Sequence, residues 1–257
     1  MKVVVVLLAL GLSVVAPVPA LIRQTKITGG NIAVISQYPS ATGLLYSTDG
    51  RNFQQSCVGT IITTKTIVTA GHCLQGDPVS KWRVRVGSSW SNSGGSVYNL
   101  ITMLIHPNFN VRTMDTDIAL IYTNAPIVYN NVVKSASIAS TNYNLPDNQI
   151  VSAVGFGAVA DGNSEQLRHI QIWTINQVSC ATRYGVLGSN ITSNMLCAGL
   201  LSSSSGAQCV GDSGGPLLHN SVLVGVFSWG FSCASSQYPG VNTRVSRFTS
   251  WIQANAY

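Results

Sequence analysis

Short runs with alternating apolar and polar residues, separated by turn-forming clusters, constrain the fold of this chain most strongly. In KWRVRV (81–86), the apolar side chains Trp82, Val84 and Val86 fall on one face of an extended chain. This period of two is typical of a strand with one buried face. Similar β-rich runs occupy 58–62, 118–122, 150–157, 169–175 and 222–230, and turn-forming clusters occupy 91–96, 160–164 and 202–206. The pattern predicts an all-β barrel or sandwich.

Helical periodicity is strongest near the C-terminus, in RFTSWIQANA (247–256). Phe248, Trp251, Ile252 and Ala256 share a stripe there, which predicts a terminal helix docked on the core. Roughly 230 residues follow the N-terminal segment, which is long for one barrel, so two barrels packed side by side are a second architecture.

The first 20 residues have the features of a secretory signal peptide. Lys2 precedes an apolar run, and small residues end the segment at Val18-Pro19-Ala20. A membrane anchor is the alternative, but it needs about 20 unbroken apolar residues, and Ser13 and Pro17 interrupt this run. We therefore expect a signal peptide at 1–20 and export of the protein.

Export makes disulfides the expected state of the cysteines. Six cysteines allow 15 pairings, and spacing alone does not choose among them. A metal site is the alternative, but no pair has Cys-x-x-Cys spacing and none lies in a His-rich tract, so no metal is expected. The net charge is +6, but the basic residues do not form a continuous run. We therefore expect neither nucleic acid nor a membrane as a partner.

A serine set among glycines is the strongest chemical signal. The nucleophile motif G-x-S-x-G, in which a tight turn exposes the serine, is matched by Gly211-Asp212-Ser213-Gly214-Gly215. A glycine-rich turn without any catalytic role would give the same sequence pattern. The serine needs a histidine base and an orienting acid. No Asp or Glu follows Ser213, which excludes the order of an α/β-hydrolase. His72 followed by Asp117 satisfies the order His, Asp, Ser. Asp49 followed by His72 would satisfy the alternative order Asp, His, Ser. That order requires an α/β sheet, which this β-rich pattern does not offer.

Five segments resemble the motifs of trypsin- and chymotrypsin-like serine proteases in order and rough spacing. They are TAGHC (69–73), DIAL (117–120), GDSGGP (211–216), SWG (228–230) and PGVNTRV (239–245). The resemblance runs from Ile27 to the end of the chain and is closest to the digestive trypsin-like proteases of insects. It implies two packed six-stranded antiparallel β-barrels with a C-terminal helix, a protease domain at 27–257 and a barrel boundary near 130–145.

The same resemblance implies a role for each catalytic position. Ser213 is the nucleophile, His72 the general base and Asp117 the group that orients the imidazole. The backbone N–H groups of Gly211 and Ser213 would form the oxyanion hole. Three other titratable residues are expected outside catalysis, with Asp115 a solvated loop acid and both His106 and His169 structural. The implied disulfides are Cys57–Cys73, Cys180–Cys197 and Cys209–Cys233.

The segment RQTK (23–26), followed by ITGG, resembles a zymogen junction. Cleavage after Lys26 would free the ammonium of Ile27, and this ammonium would pair with Asp212 and order the oxyanion loop. Residues 21–26 are therefore expected to be an activation peptide.

The specificity pocket departs from the trypsin-like pattern. The residue six before the nucleophile forms the pocket floor in this family and is Asp in trypsin-like members, but here it is Ala207. We therefore expect loss of cleavage after Arg and Lys and a preference for Phe, Tyr, Leu or Met. The other substrate-binding positions carried over are Gln208, Val210, Ser228, Trp229, Gly230 and Gly240.

The sequence thus predicts a secreted, monomeric digestive serine endopeptidase of the gut lumen, made as a zymogen. Its expected partners are protein or peptide substrates, an activating trypsin-like protease and protein protease inhibitors. No cofactor is expected, and no calcium, because no Asp or Glu lies between Asp77 and Asp115. The alternative is a catalytically silent homologue that acts by binding. Asn190-Ile191-Thr192 is a sequon for N-glycosylation.

Overall fold

The structure, a computed structural model, describes residues 30–159, 162–163, 165–200, 212–231, 235 and 237–257. The strands in chain order are β1 Asn31–Ile32, β2 Ala41–Tyr46, β3 Gln54–Ile61, β4 Thr66–Thr69, β5 Trp82–Val86, β6 Ser96–Ile105, β7 Ala119–Thr123, β8 Ser137–Ile138, β9 Ile150–Gly155, β10 Ala158–Val159, β11 Gly162–Asn163, β12 Arg168–Thr174, β13 Met195–Gly199, β14 Pro216–His219, β15 Val222–Trp229 and β16 Gly240–Arg244. The α-helices are α1 Gly71–Leu74, α2 Gln177–Gly185 and α3 Thr249–Asn255, and three 3₁₀ turns cover Ile35–Gln37, Val79–Lys81 and Val245–Arg247.

The first barrel is closed by six antiparallel strands in the order β2-β3-β4-β7-β6-β5, with β5 pairing back to β2. Strand β5 follows the predicted alternation. Trp82, Val84 and Val86 are buried, whereas Arg83 and Arg85 are partly exposed. Apolar side chains that point inward along each strand fill the barrel, and the arginines stay on its outer face.

The second barrel contains β9, β12, β13, β16, β15 and β14, and pairing of β14 with β9 closes it. All six pairings around this ring are antiparallel. Strands β1 and β8 pair with β12 and β15 from outside the ring. Two closed six-stranded barrels confirm the fold that the resemblance implied.

Each of the six β-rich runs found in the sequence overlaps a strand of these barrels, and most of the C-terminal stripe lies in α3. Phe248 and Ile252 are buried against the core, while Trp251 is only partly buried. The last strand of the first barrel ends at Thr123, and the first strand of the second begins at Ile150. The boundary near 130–145 lies in this connection and stays a prediction.

A continuous cluster of buried apolar residues runs through both barrels. It includes Leu44 and Ile121 of the first barrel, Ile172 and Val226 of the second, and Ile252 of α3. A shared core of this kind fixes the barrels against each other, so side chains from both can form one site. In the part of the chain that the structure describes, no helix is both long enough and apolar enough to cross a membrane.

Candidate active site

His72 lies on α1, directly after strand β4 of the first barrel. Its neighbour Cys73 is bonded to Cys57 of β3, which ties α1 to the barrel wall. This is one of two disulfides among the described residues, and the other joins Cys180 of α2 to Cys197 of β13. Both pairings are those that the resemblance implied.

Asp117 is fully buried and holds His72 in place. Its Oδ2 lies 2.6 Å from His72 Nδ1, and its Oδ1 accepts a 2.8 Å hydrogen bond from the backbone N–H of His72. The carbonyl of Asp117 accepts a 2.6 Å hydrogen bond from Thr243 of the second barrel. A buried carboxylate is tolerated only when donors surround it, and the two donors of His72 also fix the imidazole orientation. The Thr243 bond instead ties the Asp117 backbone to the second barrel.

Ser228 supplies a further donor to this carboxylate. Its hydroxyl donates to Asp117 Oδ2 at 2.5 Å, and both residues are buried. The sequence had assigned Ser228 only to substrate binding. Strand β15 has a register irregularity between Phe227 and Trp229, at the position of Ser228. Bulges of this kind re-aim side chains, which a period-two reading of the strand could not reveal.

Ser213 lies on a tight turn that is bonded to both barrels. The N–H of Gly215 donates to the Asp212 carbonyl at 2.7 Å, and Gly214 has φ +78°, as a type II turn requires at its third position. The Ser213 carbonyl accepts from the N–H of Val58 in β3 at 2.8 Å, and the Gly214 N–H donates to the Phe227 carbonyl of β15 at the same distance.

Only glycine fits at position 214. A Cβ there would collide with the Thr69 hydroxyl and the Val58 carbonyl and would lie 3.1 Å from the Ala70 nitrogen. Residues 69 and 70 lead directly into α1, so the nucleophile turn packs against the segment that carries His72. The structure thus places the backbone of Ser213 and Gly214 beside the segment that leads to His72, and His72 in turn contacts Asp117.

Asp212 lines a small cavity of about 30 Å³. Its Oδ1 accepts a 2.8 Å hydrogen bond from the N–H of Gly157. Gly30, Gly155 and His169 also line the cavity. A Cβ at either Gly155 or Gly157 would overlap the carboxylate, so both glycines make room for it. Gly30 is the first described residue and lies three residues after Ile27 in the chain.

Some residues of the predicted specificity pocket are among those that the structure describes. Gly230 and Gly240 are neighbours, and a Cβ at Gly230 would make an ordinary contact of 3.9 Å with Gly240 Cα. Trp229 packs edge-on against the ring of buried Tyr184, with ring centroids 4.9 Å apart. The remaining predicted site residues lie outside the described residues: Lys26, Ile27, Ala207, Gln208, Cys209, Val210, Gly211 and Cys233.

Tyr184 connects this wall to Pro239, the residue directly before strand β16. Its hydroxyl donates to the Pro239 carbonyl at 2.6 Å, and burial raises the pKa of Tyr184 to about 12. Sequence reading did not single out this tyrosine, because one aromatic residue in a short helix carries no chemical signature.

Asp115 is not the solvated loop acid expected from the sequence. It is partly buried and accepts hydrogen bonds from Thr192 Oγ1 at 2.5 Å and from Asn194 Nδ2 at 3.1 Å. These donors lie in the connection between α2 and β13. Asp115 therefore links the loop before Asp117 to the second barrel, a long-range contact that local sequence does not encode.

The two upstream histidines make contacts of a structural kind. His106 packs against the rings of Phe248 and Trp251, with centroids 5.3 and 4.7 Å away, and burial lowers its pKa. His169 Nδ1 lies 2.6 Å from the Tyr38 hydroxyl. Neither contact involves Ser213.

Among the described residues, one group of potential metal ligands comes together, formed by Cys57, His72 and Cys73. The two sulfur atoms are bonded to each other. Metal coordination by cysteine requires a thiolate, so this group is not a metal centre.

Comparison with known proteins agrees with this geometry. The family model described as Trypsin matches residues 27–252. The chain belongs to the trypsin family of serine proteases. This trypsin-family member is 53% identical over 258 residues to "Trypsin CFT-1" of Choristoneura fumiferana and 52% identical over 258 residues to "Trypsin, alkaline A" of Manduca sexta, each alignment covering 100% of both chains. It is also 35% identical over 248 residues to the "Vitellin-degrading protease" of Bombyx mori, covering 96% of this chain and 91% of the relative.

The trypsin-family member is therefore a serine endopeptidase, a hydrolase that acts on protein substrates. Its two described disulfides indicate an extracellular location, because such bonds persist in oxidising compartments.

Proposed function

We propose that the enzyme cleaves peptide bonds after large apolar residues, with Ser213 as nucleophile, His72 as general base and Asp117 as the orienting acid. The observation that carries the catalytic part is the 2.6 Å contact between His72 Nδ1 and Asp117 Oδ2. With its Nδ1 proton held by Asp117, the imidazole presents Nε2 as the basic atom.

In the proposed reaction, His72 Nε2 accepts the Ser213 hydroxyl proton while the Ser213 oxygen attacks the scissile carbonyl. The imidazolium then gives this proton to the departing amine as the C–N bond breaks, which leaves an acyl ester on Ser213. Water attacks the ester through the same base and releases the acid. Asp117 stays ionised and stabilises the imidazolium throughout.

The N–H groups of Gly211 and Ser213 would hold the negative oxygen of each tetrahedral intermediate. Loss of one such donor costs about 10²- to 10³-fold in rate. The bonds from the Ser213 carbonyl to Val58 and from the Gly214 N–H to Phe227 support this role, because they fix the Ser213–Gly214 peptide, which directly follows the Ser213 N–H that would be one of the donors.

Ala207 carries the proposal on specificity. Related proteases are named trypsins, yet the residue that forms the charged floor of a trypsin-like pocket is neutral here. An Arg or Lys side chain would bury its charge without that counter-charge, at a cost of about 3–5 kcal/mol by analogy with broken buried ion pairs. A large apolar side chain would instead gain about 1.5–3 kcal/mol on burial. Gly230 and Gly240 leave room for it.

Activation of a precursor is the third part of the proposal. Removal of a signal peptide at 1–20 and cleavage after Lys26 would free the Ile27 ammonium, which would then pair with Asp212. The cavity beside the Asp212 carboxylate supports this, because Gly30 lines it and Ile27 lies three residues earlier. A trypsin-like protease would make the cut.

The enzyme would act as a monomer in the gut lumen on dietary protein and be open to protein protease inhibitors. This setting is supported by the insect relatives that are named trypsin and by the signal peptide expected at residues 1–20. The silent-homologue alternative gains no support, since His72 and Asp117 keep the required contact.

A cleavage profile on a mixed peptide library tests the specificity. The activated enzyme should cut fastest after Phe, Tyr, Leu or Met, and faster cutting after Arg or Lys would refute the neutral pocket. Labelling with an organophosphonate tests the catalytic assignment separately. Ser213 should be labelled stoichiometrically, and Ser213→Ala should not react.

A further inference from the structure

The glycosylation sequon lies at an ordered surface position between α2 and β13. Helix α2 ends at Gly185, and Gly188, with φ +73°, then reverses the chain. Asn190 is exposed, whereas the following Ile191 is buried. The burial of Ile191 holds the Asn190 amide at the protein surface, where a glycan can be accommodated.

The third sequon residue is bonded to the loop that carries Asp117. Thr192 Oγ1 donates to Asp115 at 2.5 Å, and the Thr192 carbonyl accepts from Gln177 Nε2 at 2.7 Å. Asn190 therefore lies two residues before Thr192, which is hydrogen-bonded to Asp115 in the loop that leads to Asp117.

Asn190 also borders a cavity of about 260 Å³. One side is formed by the loop of Arg112, Thr113 and Met114, and another by Trp229, the neighbour of Ser228. The remaining lining comes from the sequon side, residues 188–190. A group attached to Asn190 would stand at the rim of a cavity next to the proposed catalytic residues.

We propose that Asn190 carries an N-linked glycan and that this glycan limits the access of folded proteins to the active site. The attachment forms a bond between Asn190 Nδ2 and the anomeric carbon of an oligosaccharide. The donor is an oligosaccharide linked to polyisoprenyl diphosphate. The bond between its anomeric carbon and the diphosphate oxygen breaks, the polyisoprenyl diphosphate leaves, and the amide nitrogen loses a proton.

Attachment has to precede folding. Recognition of a sequon uses its hydroxyl residue, and in the folded protein Asp115 holds that hydroxyl. Transfer therefore takes place on the chain during secretion, and the folded, unglycosylated protein is a poor acceptor.

The effect of the glycan on access to the active site rests on the proposed function, whereas the presence of a glycan on Asn190 does not. Two measurements therefore test these two claims separately. The full chain is secreted from insect cells as wild type, Asn190→Gln and Thr192→Ser. Release of the glycan in ¹⁸O-water, followed by peptide mass spectrometry, should convert Asn190 to labelled Asp in wild type. Thr192→Ser keeps both the sequon and a hydroxyl for Asp115 and should also be labelled. An unmodified Asn190 in secreted wild type would overturn the proposal.

The second measurement uses enzyme whose precursor has first been cleaved after Lys26 by a trypsin-like protease, and it compares kcat/KM for a folded protein with kcat/KM for a short peptide. Trimming the glycan of the folded wild type with an endoglycosidase should raise this ratio by roughly two- to tenfold, because access acts on the association rate. Enzymatic trimming removes the glycan even if the Asn190→Gln variant does not fold. Wild-type enzyme treated in the same way without the endoglycosidase is the control. An unchanged ratio would overturn the access effect. An enzyme that cleaves neither substrate would instead contradict the proposed function and leave the occupancy result intact.

Discussion

The hydroxyl of Ser228 lies 2.5 Å from Asp117 Oδ2, the same oxygen that His72 Nδ1 contacts at 2.6 Å. One buried carboxylate oxygen therefore receives a donor from each barrel, since His72 belongs to the first and Ser228 to the second. Relative movement of the barrels would weaken one of these contacts, so the shared core also maintains the geometry around Asp117.

We predict that Ser228→Ala lowers kcat/KM by about 10- to 100-fold, because a hydrogen bond to a buried charged group is worth about 1.5–3 kcal/mol. Steady-state kinetics on one peptide substrate measures this change. Ser250→Ala is the matched control, since Ser250 is exposed on α3 and should leave kcat/KM unchanged. Wild-type kcat/KM in Ser228→Ala would mean that the contact does not support catalysis.

Gly155→Ala should give a protein that is processed at Lys26 but inactive. A Cβ at this position would overlap the Asp212 carboxylate, which must occupy its cavity if the Ile27 ammonium is to reach it. N-terminal sequencing should read ITGG, while organophosphonate titration should find few active sites. Gly185→Ala is the control, because its Cβ would meet nothing within 4 Å. A fully active Gly155→Ala enzyme would contradict the role proposed for Asp212.

Sequence reading located the strands because their signal lies in short segments, and the motifs that suggested the candidate triad are equally short. Alternation in KWRVRV reports burial within one strand, and Gly211 to Gly215 carry the features of an exposed nucleophile. The contacts of Ser228 and Asp115 were missed for a different reason. The first spans 111 positions and the Thr192 contact spans 77, so both depend on how the barrels pack. The resemblance decided in favour of two barrels, which the strand pattern and the chain length had left open beside a single barrel or a sandwich.

Stability should fall steeply above pH 10 through Tyr184. Burial raises its pKa to about 12 from 10.0, so between these values the unfolded chain loses a proton that the folded protein retains. The stabilisation from the neutral phenol is complete below pH 10 and lost as pH rises to about 12, a change of about 2–3 kcal/mol. Burial also raises the pKa of Tyr38 and Tyr122, which add to the slope in the same direction.

Urea unfolding at several pH values from 8 to 11 tests this, at about unit intervals. Tyr184→Phe should reduce the slope above pH 10 and lower stability at pH 8, because the Pro239 carbonyl loses its donor. Tyr129→Phe is the control at an exposed tyrosine and should keep the wild-type profile. The same slope in Tyr184→Phe and wild type would exclude Tyr184 as the source.

The proposed activation bond follows a lysine, while the proposed pocket rejects lysine. Because an enzyme with neutral Ala207 at its pocket floor cannot efficiently cut its own Lys26-Ile27 bond, the purified precursor should stay latent alone. A trace of a trypsin-like protease should activate it.

Ala207→Asp should reverse this behaviour, because it supplies the counter-charge that a lysine or arginine side chain lacks in the wild-type pocket. The variant precursor should activate itself at a rate that rises with its concentration, and the mature variant should cleave after Arg. Ala207→Asn is the matched control, since it adds a side chain of similar size without charge and should remain latent. The time course of peptide hydrolysis, read with N-terminal sequencing, follows both events. Rapid self-activation of the wild-type precursor, absent in Ser213→Ala, would show that the pocket accepts lysine and would refute the specificity argument built on Ala207.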